Sequence, residues 1–321
     1  MNILITGATG FVGSHMVDYI LKYSIRPDQK VYCTKRWMED TKNLDHINHD
    51  SFEYIDCDLL DGMSVKRAVE ISKPSKVFHF AAQSFPEVSF KIPVITLQTN
   101  IIGTTHLLES IKESDYDPTI VSVSSSEVYG NPNEDEIPIT EENPIRPANP
   151  YSISKVGHDL MSQYYHKAYD MKIITTRMFS HEGARRGKQF ALSSFAHQIV
   201  QNEKGIGDGF VRHGNLDSVR TYNHIEDAIQ AYWLCSNSDK YGEVYNIGGD
   251  YTCTVGEALD MLMSKSNAKV EKKLDPKRVR PTDITLQIPS SDKFRNEYGW
   301  RPKKSLTHIC DDLLNYWRNI L

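Results

Sequence analysis

The strand, glycine turn and helix that open the chain limit its fold more than any other segment. Asn2-Ile-Leu-Ile-Thr6 is an apolar run of strand length, and it passes directly into Gly7-Ala8-Thr9-Gly10-Phe11-Val12-Gly13 and a helix-like stretch from Ser14 to Tyr23. Glycines at these positions let the chain turn sharply, let backbone N–H groups approach an anion, and let helix pack closely on strand, with the helix N-terminus facing the negative charge. The spacing is GxxGxxG rather than GxGxxG, and its place after the first strand identifies a dinucleotide cradle formed by Gly7, Thr9, Gly10, Phe11, Val12 and Gly13.

The rest of the first half repeats that alternation. β-Branched runs around Ile3, Val31, Phe52–Tyr54, Val77, Ile120–Val123 and Lys172–Thr176 are separated by helix-like stretches at 62–72, 95–113 and 151–169. Such a pattern predicts right-handed βαβ units and an α/β fold, a Rossmann-type doubly wound parallel sheet with helices on both faces. Residues 131–150 carry prolines at 132, 138, 144, 147 and 150 and read as a loop delivering the chain to the helix of Tyr151. Beyond Arg177 the periodicity loosens, although His224 to Asn246 reads as a helix and strand returning to the main sheet. The expected organisation is a nucleotide-binding domain of residues 1–177 with 223–249 returning to it. A smaller C-terminal substrate-binding domain is interleaved from 178–222 and 250–321.

A chain of 321 residues with 39% apolar content can bury a large core, and a net charge of -5 leaves no polycationic surface for nucleic acid. A small-molecule substrate is the expectation. Cys33, Cys57, Cys235, Cys253 and Cys310 are scattered, odd in number and without CxxC spacing, which points to reduced thiols, a cytoplasmic location and no metal site. No leader-like segment and no apolar stretch of bilayer-spanning length is seen, so no membrane partner is expected.

The strand at Val31 ends in Lys35-Arg36, where a site selective for NAD would carry an acidic residue for the ribose 2′-hydroxyl. Two cations suit a 2′-phosphate, so NADP is the expected cofactor, with NAD possible. Asp58 and Leu59 follow the next strand, with Asp58 set against an adenine amino group, and Val77 leads to Ala81-Ala82-Gln83, a strand end at the cofactor.

Tyr151 and Lys155 are four residues apart on a helix and share a face, so the ammonium can lie under the phenol and favour its phenolate, a base for a carbinol proton. The run Ser124-Ser125-Ser126-Glu127 adds hydroxyls and one carboxylate, a group able to act as base and then as acid. His181 reads as a packing residue.

Taken together, the glycine turn, Ala81-Ala82-Gln83-Ser84, Asn100, Ser124-Ser125-Ser126-Glu127-Val-Tyr-Gly130 and Tyr151-x-x-x-Lys155 resemble the extended short-chain dehydrogenase/reductases that act on nucleotide sugars. Within them the chain is most similar to the GDP-mannose and GDP-heptose 4,6-dehydratases, through the stretches 178–187, 214–220 and 279–283. The resemblance implies a GDP-linked sugar as substrate and a homodimer or homotetramer. It implies Asn100 at the cofactor, Ser84 and Ser180 at the sugar, Arg185, Asn215, Arg220 and Arg280 around the GDP, and Asp283 near the nucleoside. In the implied dehydratase cycle Tyr151 takes the C4 hydroxyl proton, Ser125 holds the C4 oxygen, and Glu127 moves a proton from C5 to the departing C6 hydroxyl. Ser180, Ser125 and Thr221 stand where the family usually carries Asn, Thr and Asp. Because 4-keto-sugar reductases of the family also carry Ser at the position of Ser125, a GDP-sugar 4-dehydrogenase or 4-keto reductase stays open as an alternative. So do an epimerase and a non-catalytic NADP-binding regulator.

Overall fold

The computed structural model describes residues 2–279 and 282–321. The chain divides into two compact units: residues 1–128, 149–177 and 229–245 form the first, and 129–148, 178–228 and 246–321 form the second.

The first unit is built on strands β1 (Asn2–Thr6), β2 (Val31–Lys35), β3 (Phe52–Asp56), β4 (Pro74–His79), β5 (Thr119–Val123) and β6 (Ile173–Met178). With the strand Val244–Ile247 beside β6, they make a seven-stranded sheet in the order Val244–Ile247, β6, β5, β4, β1, β2, β3. β1 pairs parallel to both β2 and β4, β2 parallel to β3, and β5 parallel to β4 and β6. Ile3, Leu4, Ile5, Val77, Phe78, Val121 and Ile174 are buried, as expected of central parallel strands covered on both faces.

The helices are α1 (Phe11–Tyr23), α2 (Gly62–Ser72), α3 (Pro86–Lys91), α4 (Pro93–Leu97), α5 (Gly103–Lys112) and α6 (Pro150–Tyr169). Val65 and Val69 of α2, Leu107 and Ile111 of α5 and Tyr165 of α6 pack with Leu4, Val77 and Ile120 in one hydrophobic cluster. On the other face, Trp233 stacks on Phe78 at 6.2 Å and meets Tyr19 of α1 at 5.8 Å. The helix expected over 95–113 is interrupted: α4 and α5 are joined by a π-turn at Gln98–Ile102. Such turns insert one extra residue into a helix and are often found at functional sites.

Because the strand order reverses between β1 and β4, a crevice opens at their carboxyl ends, the position at which doubly wound sheets take nucleotides. Gly7 and Gly13 are required there. A Cβ on Gly7, whose φ is +69°, would lie 2.7 Å from the Ala81 nitrogen, and one on Gly13 would lie 2.2 Å from the Gly7 oxygen.

In the second unit, helices Ala191–Glu203, Val255–Ser264 and Leu306–Ile320 pack through Phe195, Ile199, Leu259, Leu262, Ile309 and Leu313. Strand Val219–His224 runs between Tyr251–Thr254, antiparallel, and Leu286–Gln287, parallel, and the short strand His181–Glu182 also pairs with it. The proline-rich segment 129–148 is pinned within this unit: Tyr129 donates to Asn246 Oδ1 at 2.8 Å, and Arg146 forks onto Glu136 at 2.6 and 2.8 Å.

Candidate active site

In the first unit the residues with reactive side chains gather at the end of β5 and the start of α6. Asn149 is the N-cap of α6: its Oδ1 accepts the Ser152 N–H at 2.8 Å, the Ser152 hydroxyl accepts the Asn149 N–H at 2.9 Å, and Pro150 occupies the first helical position. This places Tyr151 in the first turn, one turn ahead of Lys155. The amide of Asn149 donates to Glu127 Oε2 at 2.9 Å, and the Glu127 N–H donates to Ser125 Oγ at 3.2 Å. Ser125, Glu127, Asn149 and the head of the Tyr151 helix are thereby tied together. Asn149 falls in the segment 131–150 expected to be a loop, although an Asn-Pro pair opening a helix carries a recognisable signal.

Lys155 is buried, and its ammonium donates to the Val123 carbonyl. Burial pulls its pKa down to about 7, with the Asp159 carboxylate opposing. Asn100, in the π-turn, accepts the Gln83 N–H at 2.8 Å and donates to Gln83 O at 3.0 Å and to Ser154 Oγ at 2.8 Å. Ser154 in turn donates to Tyr151 O at 2.6 Å. Asn100 therefore clamps the segment after β4 onto the helix that carries Tyr151 and Lys155.

A chain of buried polar groups, invisible to pattern reading, runs behind these residues. Thr6 Oγ1 meets His79 Nδ1 at 2.7 Å, His79 Nε2 meets Thr104 Oγ1 at 3.0 Å, Thr104 meets His158 Nδ1 at 2.9 Å, and His158 Nε2 meets Ser122 Oγ at 2.8 Å. Thr104 spends its proton on Asn100 O at 2.7 Å, so both imidazoles donate to it. Burial, reinforced by the Lys155 ammonium, keeps both neutral, with His79 pushed down to about 3.

At the far end of the crevice Asp58 Oδ1 accepts the Leu60 N–H at 2.9 Å. The Lys35 ammonium is paired with Asp56 at 2.6 Å, and Arg36 lies 3.4 Å from the Glu39 carboxylate. The two cations expected to face a 2′-phosphate thus each have a carboxylate beside them. The turn has the close backbone approach that a dinucleotide cradle needs, since a Cβ at Gly7 would collide with Ala81 N and one at Gly13 with the Gly7 oxygen. Gly7, Gly10 and Gly13 would hold the dinucleotide's pyrophosphate, with Thr9, Phe11 and Val12 in the same turn and Ala81, followed in the chain by Ala82, beside Gly7.

In the second unit, Asn215 donates to Asp283 Oδ2 at 3.2 Å, and Ser218, also bonded to Asn215, donates to the same oxygen at 3.1 Å. Arg220 directs its guanidinium to Val219 O at 2.9 Å and to Ile284 O. Asn215 and Asp283 are thus joined directly, while Arg220 reaches the carbonyl of Ile284, the residue after Asp283; Arg280 lies outside the described residues. Arg185 has a φ of +67°, a left-handed conformation unusual for a side-chain-bearing residue. Its neighbour Arg186 stacks on the Phe190 ring at 3.4 Å and sits 3.6 Å from Glu182. Burial pushes the Glu182 carboxyl up to about 7, against the pull of Arg186. The Ser180 carbonyl accepts the Asn223 N–H at 2.8 Å, and burial pushes His181 down to about 3. Among the described residues His224, Glu226 and Asp312 lie near enough to share an ion. Both His224 nitrogens are already engaged, Nε2 with Asp312 at 2.8 Å and Nδ1 with the Glu226 N–H at 3.1 Å.

Comparison with known proteins adds a family to this geometry. The GDP-6-deoxy-D-mannose reductase of Pseudomonas aeruginosa is 25% identical over 317 residues, 99% of this chain and 97% of that protein. The crystal structure of RMD from P. aeruginosa complexed with NADPH superposes with a TM-score of 0.85 at 24% identity, covering 100% of this chain and 99% of that one, a likeness of fold. The dTDP-glucose 4,6-dehydratase of Bacillus anthracis, solved in complex with NAD, gives a TM-score of 0.84 at 26% identity, covering 99% and 97%. Residues 4–313 match the family described as GDP-mannose 4,6 dehydratase. With a parallel sheet that reverses at a glycine cradle and a Tyr151/Lys155 helix capped onto Glu127, the chain belongs to the GDP-mannose 4,6 dehydratase family.

Proposed function

We propose that the protein is a GDP-sugar 4,6-dehydratase that works through a bound nicotinamide dinucleotide. The observation that carries this reading is the Asn149 to Glu127 hydrogen bond of 2.9 Å, which holds a carboxylate beside Ser125 at the head of the helix bearing Tyr151 and Lys155. Tyr151 removes the proton of the sugar C4 hydroxyl, and Ser125 holds the C4 oxygen. Lys155 favours the phenolate. When bound, the nicotinamide supplies the hydride acceptor and donor. Glu127 takes the C5 proton, made acidic by the ketone at C4, and delivers it to the departing C6 hydroxyl. Asn215, Arg220 and Asp283 take the nucleoside diphosphate, with Arg185 and Arg280 as further cations and Ser84 and Ser180 at the sugar.

A second reading, reduction of a GDP-4-keto sugar, is favoured by Ser125 and by the similarity to the P. aeruginosa reductase. Incubation with GDP-mannose separates the two. Under the dehydratase reading a 4-keto-6-deoxy product forms by NMR with no net change in absorbance at the reduced-nicotinamide band. Absence of that product from GDP-mannose, with consumption of reduced cofactor in proportion to product when a GDP-4-keto-6-deoxy sugar is supplied instead, overturns it. GDP-manno-heptose tested in parallel resolves the sugar, and dTDP-glucose the nucleotide.

We infer a homodimer or homotetramer from the apolar side chains exposed along α4 to α6, among them Val94, Ile95, Ile153, Leu160 and Tyr164. A solution mass equal to that of one chain overturns this. The five cysteines are buried and unpaired, which supports a cytoplasmic setting. No helix among the described residues is long and apolar enough to cross a membrane.

A further inference from the structure

No step of the proposed chemistry uses the buried polar chain that runs from Thr6 to Ser122, yet its protons can be assigned throughout. Thr104 gives its proton to Asn100 O at 2.7 Å, so His79 Nε2 and His158 Nδ1 both donate to the Thr104 oxygen, at 3.0 and 2.9 Å. In neutral rings the other two nitrogens are then acceptors, of the Thr6 hydroxyl at 2.7 Å and the Ser122 hydroxyl at 2.8 Å. Thr6 Oγ1 also accepts the Ala81 N–H at 3.2 Å, and Ser122 Oγ lies 2.7 Å from Ser162 Oγ. The two imidazoles stack with centroids 5.3 Å apart and an interplanar angle of 6°. Protons converge on Thr104 from both sides and end on Asn100 O, so the chain has no open direction along which to pass a proton. It holds groups in place.

His158 follows Lys155 by three positions on α6, on the same side of the helix. Ser122 immediately precedes Val123, whose carbonyl receives the Lys155 ammonium, and Ser124 Oγ donates to Lys155 O at 3.5 Å. We propose that His158 is a positioning residue for Lys155: by accepting the Ser122 hydroxyl and donating to Thr104, it fixes the end of β5 so that the Val123 carbonyl stays on the ammonium. Ser122, Lys155 and His158 are all buried, so water does not replace a lost partner. The other ionisable groups facing Lys155 are Asp159 on its own helix, whose carboxylate is shared with Arg177 of β6, and the neutral His79 of β4, with Tyr151 one turn ahead. Burial already brings Lys155 down to about 7, which leaves the ammonium little margin at neutral pH. With the carbonyl displaced the ammonium is disfavoured, the Tyr151 phenolate loses its cation, and Tyr151 ionises at higher pH.

Because this role rests on Tyr151 as the base of the proposed reaction, a titration without substrate tests it separately from turnover. The phenolate absorbance of each protein as purified, less that of its Tyr151→Phe counterpart, follows Tyr151 alone. Ser122→Ala deletes one hydroxyl and is expected to raise the Tyr151 midpoint by about one pH unit, and the acid limb of kcat with it, while KM stays within about twofold. His158→Asn keeps a donor for Thr104 but withdraws the acceptor from Ser122, and is expected to do the same. His158→Gln extends an acceptor to Ser122 and is expected to restore the wild-type midpoint. An unmoved midpoint in Ser122→Ala, or a loss of kcat equal at every pH, overturns the positioning role. So does a Ser122→Ala protein that fails to fold, since the bond is then structural. A midpoint that moves as expected in a protein whose wild type does not convert GDP-mannose supports the positioning role and overturns the dehydratase reading.

Discussion

Asn149 and Glu127 are joined by a 2.9 Å hydrogen bond, and the other end of the Asn149 side chain caps the helix that carries Tyr151. One amide therefore holds the carboxylate and the phenol in a common frame. Asn149→Ser keeps a helix-capping oxygen but removes the amide donor, so its kcat is expected to fall by about 10–100-fold with little change in stability. Asn149→Ala is expected to lose the same activity and about 1 kcal/mol of stability as well. Steady-state kinetics beside urea denaturation checks both, and a Ser variant with wild-type kcat would remove the positioning role.

Glu127→Gln separates oxidation at C4 from elimination across C5 and C6. Tyr151, Ser125 and Lys155 are untouched, so the variant is expected to reduce its bound cofactor once. Product formation is expected to fall by about 10²–10⁴-fold. Rapid mixing with GDP-mannose, read at the reduced-nicotinamide band, is the measurement. A variant that still forms the deoxy product at the wild-type rate rules out Glu127 as the C5 base.

The cradle has no room for a methyl group. In Gly13→Ala the new Cβ would sit 2.2 Å from the Gly7 oxygen. Loss of dinucleotide binding and of about 1–3 kcal/mol of stability is expected, from overpacking. Thermal unfolding with and without NADP reports both, since a variant that binds nothing shows no ligand-induced rise in Tm.

Glu182 makes stability fall with rising pH. Burial holds its carboxyl up to about 7, above the ordinary value of 4.5, so between those values the folded protein keeps a proton that the unfolded chain releases. The resulting penalty is absent below pH 4.5 and complete above pH 7. Glu182→Gln removes it. Between pH 5 and pH 8 the wild type is expected to lose about 2–3 kcal/mol more than the variant, measured by urea unfolding at each pH. Parallel pH dependence in the two proteins would exclude Glu182 as the source.

Asp159 and Arg177 form a buried fork, Nε to Oδ2 at 2.9 Å and the terminal nitrogen to Oδ1 at 3.2 Å. Asp159→Ala leaves a buried guanidinium uncompensated and is expected to cost about 3–5 kcal/mol. The double variant Asp159→Leu with Arg177→Met, which buries no charge, is expected to be more stable than Asp159→Ala alone. Chemical denaturation of the series tests this, and equal destabilisation in the two would refute it.

Much of the first unit was legible because its signals are local. The helix expected at 62–72 is α2, and the strand expected over Ile120–Val123 is β5 within one residue. The helix read over 95–113 is where pattern reading stopped short: apolar periodicity continues through the segment, while the π-turn at Gln98–Ile102 adds a residue to the winding. That turn carries Asn100, whose amide is claimed by Gln83 and Ser154, 17 and 54 positions away in the chain.

By itself the sequence determined the strand, glycine turn and helix, the βαβ alternation and the Tyr151/Lys155 pair, since each depends on spacing within a few residues: a period, a missing side chain, one helical turn. Only the tertiary structure decided how charges and donors are shared. Lys35 read as a cation for a phosphate, yet pairing of β2 with β3 sets it against Asp56, 21 positions on. Asn149 read as part of a loop, yet closure of the chain sets it against Glu127, 22 positions back. Such partners cannot be ranked from composition or spacing, because a hydrogen bond between distant residues forms only once packing has met the entropy of bringing them together.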